Sequence, residues 1–423
     1  MNRFIHIPFF YLHLLSVIVL SLVVVCYSPA FAHSQTKMKT VGELLARVKK
    51  RHPTLVLARM KFSGLKKVAK VSGAWPNVSL GYQREQLFPA VGQDQLTVQL
   101  AIPLGGRTFR KKDVAVKMSH LQKLLLKGLQ LRVSHLFLKR YYRWLYLQKK
   151  IAVARQLSKQ FRTLRGVLVG RIKGGSVAAM ELTRFDLEVE QQRQKLRLLQ
   201  ESAKQLSLKI SQQAGTSQAA LPGIQASLLP VRARVRLPKL SKWVPLHPWM
   251  RYLQARISLA KGRLHLARAR AMPDLSVSLG YLRQEASGAG QPDSHGFMLG
   301  LSVPLPIFQR NQAGVQKARM VKRLSRRQLK VQSKVLTLRI VQAFQRYQRS
   351  AKRWKGYQKR VLSRIPKLLH AAQVSFRSGT SFSHFLSTYR SIEGYQQFGL
   401  SLQYQLRKVA LTLEESLGYV PLQ

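Results

Sequence analysis

The sequence is poor in acidic residues, in cysteine and in catalytic motifs. Its 423 residues contain 15 Asp and Glu against 73 Lys and Arg, and Cys26 is the one cysteine. A disulfide scaffold and a paired-cysteine metal site are therefore excluded. The sequence has no nucleophile elbow, phosphate loop or short-spaced histidine pair, so we expect no catalytic residues, no cofactor and no metal site. The chain is predicted not to be an enzyme.

The formal net charge of +58 favours an extended protein over a compact one. Like charges on a small sphere repel one another strongly, whereas long helices can keep them in solvent. With 46% hydrophobic residues the chain can still bury a sizeable core. A sequence pI near 11.5 is also typical of proteins that bind nucleic acid, so a basic coiled-coil protein of that class stays open as an alternative.

The N-terminus predicts export. Arg3 precedes an apolar run over about 9–25, and Ala30-Phe31-Ala32 is a small-x-small cleavage pattern. We predict a signal peptide over 1–32, removed before His33; the alternative is a membrane anchor, although the run is near the short limit for one. Cys26 follows three valines, so lipidation is not expected, and the mature chain has no cysteine.

The chain repeats itself at an offset of about 200 residues. Val-Ser-Leu-Gly-Tyr at 78–82 recurs at 277–281, and His-Pro at 52–53 recurs at 247–248. We predict a first repeat over 33–215, a linker over 216–246 and a second repeat over 247–423. Because His52 and His247 precede prolines at matching helix starts, a local structural role for both is favoured over metal binding.

Each repeat contains one predicted β-hairpin, because apolar and small polar residues alternate in two neighbouring segments. Val78, Leu80 and Tyr82 share one face of the first strand. Each strand is near the 9 to 11 residues that cross a membrane at a tilt. The predicted strands are about 77–85, 95–103, 274–285 and 295–303.

The rest of each repeat is predicted to be helical. No proline occurs between Pro103 and Pro222, and Leu, Lys, Arg, Gln and Ala dominate that stretch. Pro366 predicts a kink in the second long helix. Two shorter helices stacked end to end match the length of one long helix. The predicted long helices are 107–170 and 310–375, the return helices 176–214 and 381–417, and the helices before the hairpins 54–74 and 248–272.

Four strands cannot close a barrel, and lipid does not tolerate open sheet edges. The strands therefore predict a barrel shared between chains, and three copies would supply twelve strands with apolar residues outside. The alternative is a pair of water-soluble hairpins packed on helices. The predicted fold class is mainly α with a small β part: two repeats whose long antiparallel helices form an α-barrel tunnel, and four transmembrane strands in each protomer.

Two segments resemble the TolC-like outer-membrane efflux family, and most of all its cobalt-zinc-cadmium branch: residues 301–312 and residues 171–184. The resemblance implies a homotrimer in outer-membrane lipid that extends into the periplasm, and no nucleic acid. It also implies a periplasmic adaptor and an inner-membrane pump as partners. The function implied is an exit duct that passes solutes, such as heavy-metal ions or drugs, from periplasm to exterior. A duct for protein secretion stays open.

The resemblance also places two sites. The turns at the periplasmic tips are the predicted adaptor-docking residues, and glycine there also suits any helix-to-helix turn. They are Arg171, Lys173, Gly174, Gly175, Ser176, Arg377, Gly379 and Thr380. At the aperture, Phe385 and Thr388 stand where some relatives carry aspartates, so an acidic ring is not expected there, and Phe385 is expected to narrow the pore by bulk.

The basic excess allows two interpretations. If Lys and Arg line the lumen, the channel prefers anions; if they coat the outer helix faces, it need not.

Overall fold

The computed structural model describes residues 41–87, 91–175, 178–215, 227–229, 243–286, 291–378 and 381–419. The predicted signal peptide and most of the predicted linker lie outside these residues, as do Ser176, Gly379 and Thr380.

The chain is mainly helical with one small sheet, and the predicted fold class is confirmed in these terms. The first repeat contains α1 (Val41–Arg51), α2 (Pro53–Val71), β1 (Ser79–Leu87), β2 (Val91–Pro103), α3 (Arg107–Lys173) and α4 (Met180–Ala214). The second contains α5 (Pro248–Ala269), β3 (Asp274–Gln284), β4 (Ser294–Ser302), α6 (Gln312–Arg360), a 3-10 turn (Leu362–Arg364), α7 (Ile365–Arg377) and α8 (Phe382–Leu417). Helix α1 has no counterpart among the predicted elements.

The two hairpins join into one antiparallel sheet with the strand order β1-β2-β3-β4. The register places like residues opposite one another across the sheet. One row runs Leu80, Val98, Leu279 and Leu299. The neighbouring row on the other face runs Gly81, Thr97, Gly280 and Met298. The period-two alternation of the sequence therefore becomes one apolar face and one face of mostly small and polar residues.

The apolar face of the sheet is exposed in the single chain. Phe297 is 92% exposed, Leu80 is 72% exposed and Leu299 is 70% exposed. Such a large contiguous apolar surface on a water-soluble protein marks a contact with lipid or with protein.

The two long helices differ because of one proline. Helix α3 runs unbroken for 67 residues, about 100 Å at roughly 1.5 Å per residue. Its counterpart ends at Arg360, passes through the 3-10 turn and resumes at Ile365. Pro366 lies in the first turn of α7, where its missing N–H costs nothing. The predicted kink is thus a break of one turn, placed just before the proline.

Shorter helices meet end to end beside the long ones. Arg51, at the end of α1, donates from Nη1 to the carbonyl of Gly215 just after α4, at 3.2 Å. In the second repeat, Gly418 after α8 lies against His247 and Pro248 at the start of α5. Both glycines have a left-handed backbone, with φ 64° at Gly215 and 83° at Gly418, which ends each helix without a steric penalty.

The core lies between helices, in separate clusters along the length of the chain. Near the middle of α3, the Tyr141 and Tyr142 rings are buried and meet edge to face at 5.5 Å. The guanidinium of Arg407, buried in α8, lies 4.0 Å from the centroid of the Tyr142 ring. His135, also buried, contacts the carbonyl of Tyr419 at 2.8 Å from Nε2. Helices of both repeats therefore share this central packing.

Across the described ranges, from 41 to 419 with their gaps, none of the helices combines the length and apolar character needed to span a lipid bilayer.

Candidate functional site at the helix tips

The tip of the first repeat is a glycine turn. Helix α3 ends at Lys173, and the N–H of Gly174 and of Gly175 donate to the carbonyls of Gly170 and Ile172 at 3.1 and 3.0 Å. Gly175 has φ 71°, a conformation that glycine adopts freely. Lys173, Gly174 and Gly175 are exposed, so this predicted docking turn is open to a partner.

Arg171 connects the tips of the two repeats. Its Nη1 donates to the carbonyl of Phe376 at 3.1 Å, and its guanidinium lies 5.2 Å from the centroid of the Phe376 ring. Phe376 is in the last turn of α7, where a cation is favoured by the carbonyls that the helix leaves unpaired. The structure thus brings the α3 tip and the α7 tip together. Arg377 ends α7 beside this contact.

An aromatic cluster holds α3, α4, α7 and α8 together at this end. Its largest members are Phe161, Phe185, Phe376, Phe385 and Tyr389. Phe385 is 2% exposed, and its ring lies 4.6 Å from that of Phe376 and 5.5 Å from that of Tyr389, between centroids. Burial raises the pKa of Tyr389 to about 12.

The burial of Phe385 bears on its predicted role at an aperture. A ring that is enclosed by its own protomer cannot also project from it, so Phe385 fixes the tip by packing. Thr388 is half-buried on α8, and its hydroxyl donates to the carbonyl of His384 at 3.0 Å. Thr388 is therefore the candidate of the two that retains access to solvent, and its place at an aperture stays a prediction.

A polar cleft of about 420 Å³ lies next to the aromatic cluster, between α4 and α8. Glu188 is 4% exposed and forms an ion pair with Arg390. Gln192 Nε2 donates to Oε2 of Glu393 at 3.0 Å and to Oε1 of Glu188 at 3.3 Å. Gln397 Nε2 donates to the second oxygen of Glu393 at 2.6 Å. The two return helices are thus joined by two buried carboxylates that share one hydrogen-bond donor, Gln192.

Sequence reasoning missed this polar link. Glu188 and Glu393 are two of only 15 acidic residues and lie 205 positions apart, close to the repeat offset. That recurrence was the available signal. What the sequence alone does not contain is the ion pair to Arg390, because it joins helices from different repeats.

The two predicted structural histidines both start helices. His52 precedes α2 and His247 precedes α5, and the Nδ1 atom of His247 accepts from the N–H of Trp249 at 3.1 Å. Burial lowers the pKa of His52 and of His247, so both rings are neutral at pH 7. Within the described part of the chain, no group of three or more His, Cys, Asp or Glu side chains is placed to hold a metal ion.

The comparisons with known proteins agree with this architecture. The family model for outer membrane efflux proteins matches residues 245–419, which is the second repeat. Over this part, which is less than half of the chain, the sequence is similar to the outer membrane efflux protein family. Among curated proteins it is similar to the cobalt-zinc-cadmium resistance protein CzcC of Cupriavidus metallidurans, with 24% identity over 229 residues. That match spans about half of each protein, 52% of this chain and 52% of the relative.

Solved structures share the fold along most of the chain. CusC superposes with a TM-score of 0.71 and 15% identity, covering 89% of this chain and 91% of CusC. The outer membrane protein VceC of Vibrio cholerae superposes with a TM-score of 0.70 and 15% identity, covering 89% of this chain and 95% of VceC. The predicted fold is therefore confirmed along most of the chain, the first repeat included, and the predicted resemblance to the family is confirmed over the second repeat.

Proposed function

We propose that this protein is one protomer of a homotrimeric exit duct in the outer membrane, and that the duct passes solutes out of the periplasm. The observation that carries the proposal is the sheet. Among the described strands, β1 and β4 each have a single neighbour, and the apolar face of the sheet is exposed. Pairing β4 with β1 of the next copy removes both edges, and three copies supply twelve strands.

The long helices give the duct its periplasmic part. Helix α3 extends about 100 Å at roughly 1.5 Å per residue, far more than a bilayer is thick. Because each strand continues into or follows a helix, closing the sheet also brings the helices of three copies into one ring. A tunnel of stacked helices below a barrel is the architecture that follows.

The barrel closure can be tested with engineered disulfides. Ser79 begins β1 and Ser302 ends β4, and the antiparallel order places both at the helix end of the sheet. We expect the double variant Ser79→Cys with Ser302→Cys to form covalent dimers and trimers on oxidation. Opposite residues of paired strands have Cα atoms about 4.5–5.5 Å apart, which is within the range of about 4.4–6.8 Å that a disulfide spans. Each single cysteine variant is the matched control and should stay monomeric on a non-reducing gel. Gly300→Cys in place of Ser302→Cys tests the next register. Absence of cross-linked chains in both registers would refute the shared barrel.

We further propose that the tip turns dock a periplasmic adaptor, which connects the duct to an inner-membrane pump. Lys173 and Gly175 are exposed at the end of the helices, and Arg171 fixes the two tips to each other. Lys173→Cys, labelled in cells with a thiol-reactive cross-linker, should capture one periplasmic partner. Lys330→Cys, an exposed position on α6 away from the tip, is the control. Equal capture at both positions, or none at Lys173, would contradict docking at the tip.

Heavy-metal ions are the first cargo to test, because the relative CzcC is a cobalt-zinc-cadmium resistance protein. Deleting the gene in its own host should increase sensitivity to these metals if they are the cargo. Unchanged metal sensitivity with increased sensitivity to drugs would assign the duct to organic solutes. If the deletion instead removes a secreted protein from the culture medium, a duct for protein secretion is favoured.

A further inference from the structure

A basic cleft lies where the sheet meets the helices, far along the chain from the tip turns. Five residues line it: Arg107, Lys111, Arg270, Gln309 and Asn311. Its volume is about 570 Å³, enough for a small hydrated anion. Three of the five lining side chains are cationic and none is acidic. The lining residues come from both repeats of one chain, so the cleft is complete within a protomer.

The cations of the cleft are only partly neutralised. Arg107 pairs through Nη2 with Asp274 at 2.6 Å, but its Nε is buried and has no hydrogen-bond partner. Lys111 and Arg270 are exposed, and neither takes part in an ion pair with any residue that the structure describes. Exposed cations that share a cleft without an acidic neighbour are an arrangement that an oxyanion would neutralise.

The helix starts at the cleft increase its positive potential. Arg107 is the first residue of α3, and four of the first six residues of that helix are Arg or Lys with no acid in the first turn. Asn311 precedes α6, which also has no acid in its first turn. Neither helix start has a side-chain cap. Helix N-termini favour anions and disfavour cations, so this arrangement is unfavourable until an anion is present.

The backbone at Asn311 is also unusual. Among described residues it is the one non-glycine with positive φ, at 54°. Its Nδ2 donates to the carbonyl of Ala267 at 2.7 Å, which ties the start of α6 to α5. Asparagine adopts this conformation more readily than most other non-glycine residues. This contact fixes Asn311, one of the lining residues of the cleft, against α5.

We propose that this cleft binds a small oxyanion of the phosphate class, held by Lys111, Arg270 and the partly exposed guanidinium of Arg107. Asp274 begins β3 in the same alternation as Ser276 and Ser278, on the polar face of the sheet. The polar face of the sheet lines the lumen in the proposed trimer, and the choice of ligand source rests on that proposal. The favoured source is therefore a free anion in the duct. A lipid headgroup, which carries the same phosphate chemistry, would require the cleft to open toward the membrane.

The test is calorimetric titration of inorganic phosphate into the full mature protein in a non-ionic detergent. We expect saturable binding by the parent, weakened at least about tenfold by the double variant Lys111→Gln with Arg270→Gln, because each removed cation deletes a charge-assisted hydrogen bond. The matched control removes the same charge at exposed positions of α6, Lys330→Gln with Arg353→Gln, and should bind as the parent does. Equal helical content and melting of both variants show that the folds are comparable.

A second arm separates the sources. The protein is equilibrated with vesicles of phosphatidylglycerol and phosphatidylcholine, re-extracted, and its retained lipid is measured. Retention of phosphatidylglycerol by the parent and the control but not by the cleft variant, without binding of free phosphate, identifies a lipid headgroup as the ligand and supports the site. Equal loss in cleft and control variants, or no binding in either arm, overturns the proposal. Because the cleft belongs to one chain, its result is independent of the strand cross-linking that tests the trimer.

Discussion

Phe385 offers the sharpest test of how the tip is built. Its ring is 2% exposed in the cluster of α3, α4, α7 and α8, with aromatic neighbours at 4.6 and 5.5 Å. Phe385→Ala removes this packing and leaves a cavity, which typically costs about 3–5 kcal/mol. Since the cluster lies at the end of the helices, we expect the loss to appear as local opening of the tip. That energy corresponds to an increase in local opening of about a hundredfold or more.

Hydrogen exchange followed by mass spectrometry measures that opening directly. Exchange should accelerate in α7 and in the first turns of α8, while amides near Tyr142 in the central packing keep their rates. Phe398→Ala is the matched control: the ring is on the same helix but 53% exposed, so the change should cost about 1 kcal/mol or less. Phe385→Leu should restore most of the protection, because it refills much of the volume.

Conductance of the proposed channel in a planar bilayer distinguishes packing of the Phe385 ring from obstruction of the pore by that ring. If Phe385 acts by packing, Phe385→Ala gives unstable, flickering currents together with faster exchange. A stable increase in conductance with unchanged exchange in α7 would refute the packing argument and return the ring to the lumen.

Three further predictions concern charge and backbone. Burial raises the pKa of Glu414 from 4.5 to about 7, so the folded chain holds this proton more tightly than the unfolded one, and the contribution of this group to stability falls as pH rises from about 4.5 to about 7. Glu414→Gln should remove that loss, at most about 3 kcal/mol, in denaturant unfolding compared near pH 5 and near pH 8; exposed Glu201→Gln should leave it intact, and an unchanged pH profile in Glu414→Gln would contradict the assignment. Arg171→Met should separate the α3 and α7 tips and speed tryptic cleavage there, without lowering the overall melting temperature by more than a few degrees; normal cleavage would show that the bond to Phe376 is dispensable. Gly418→Ala should destabilise by well over about 1 kcal/mol, because its φ is 83° and a Cβ would lie 2.7 Å from a proline Cδ at the start of α5; a melting temperature equal to the parent's would be evidence against the tight junction.

The polar link between α4 and α8 illustrates why the tip could be predicted only in part. The turn glycines and the aromatic residues near 376–389 are visible in the sequence, and so is the end of α3. The burial of Phe385 is not, because it depends on α3 and α4 of the other repeat, more than 150 residues away. The ion pair of Arg390 with Glu188 could not be predicted from the sequence for the same reason.

What the sequence determined by itself is everything with a local cause. Period-two alternation determined the strands near 79–87 and 274–284, and the absence of proline over 104–221 allowed α3 to run unbroken to the glycine turn at 174–175. Pro366 determined the break after α6. The offset near 200 determined the two repeats, since equal sequence patterns make equal local structures.

Only the tertiary structure decided how the two repeats are joined. The pairing of β2 with β3, the bond from Arg171 to the α7 tip and the cleft between Arg107 and Asn311 all connect residues of different repeats. No local pattern encodes such contacts, because their energy comes from surfaces that meet only after both halves have folded. Which side chains enter the core or the cleft between the two repeats was therefore settled by the packing of the two halves.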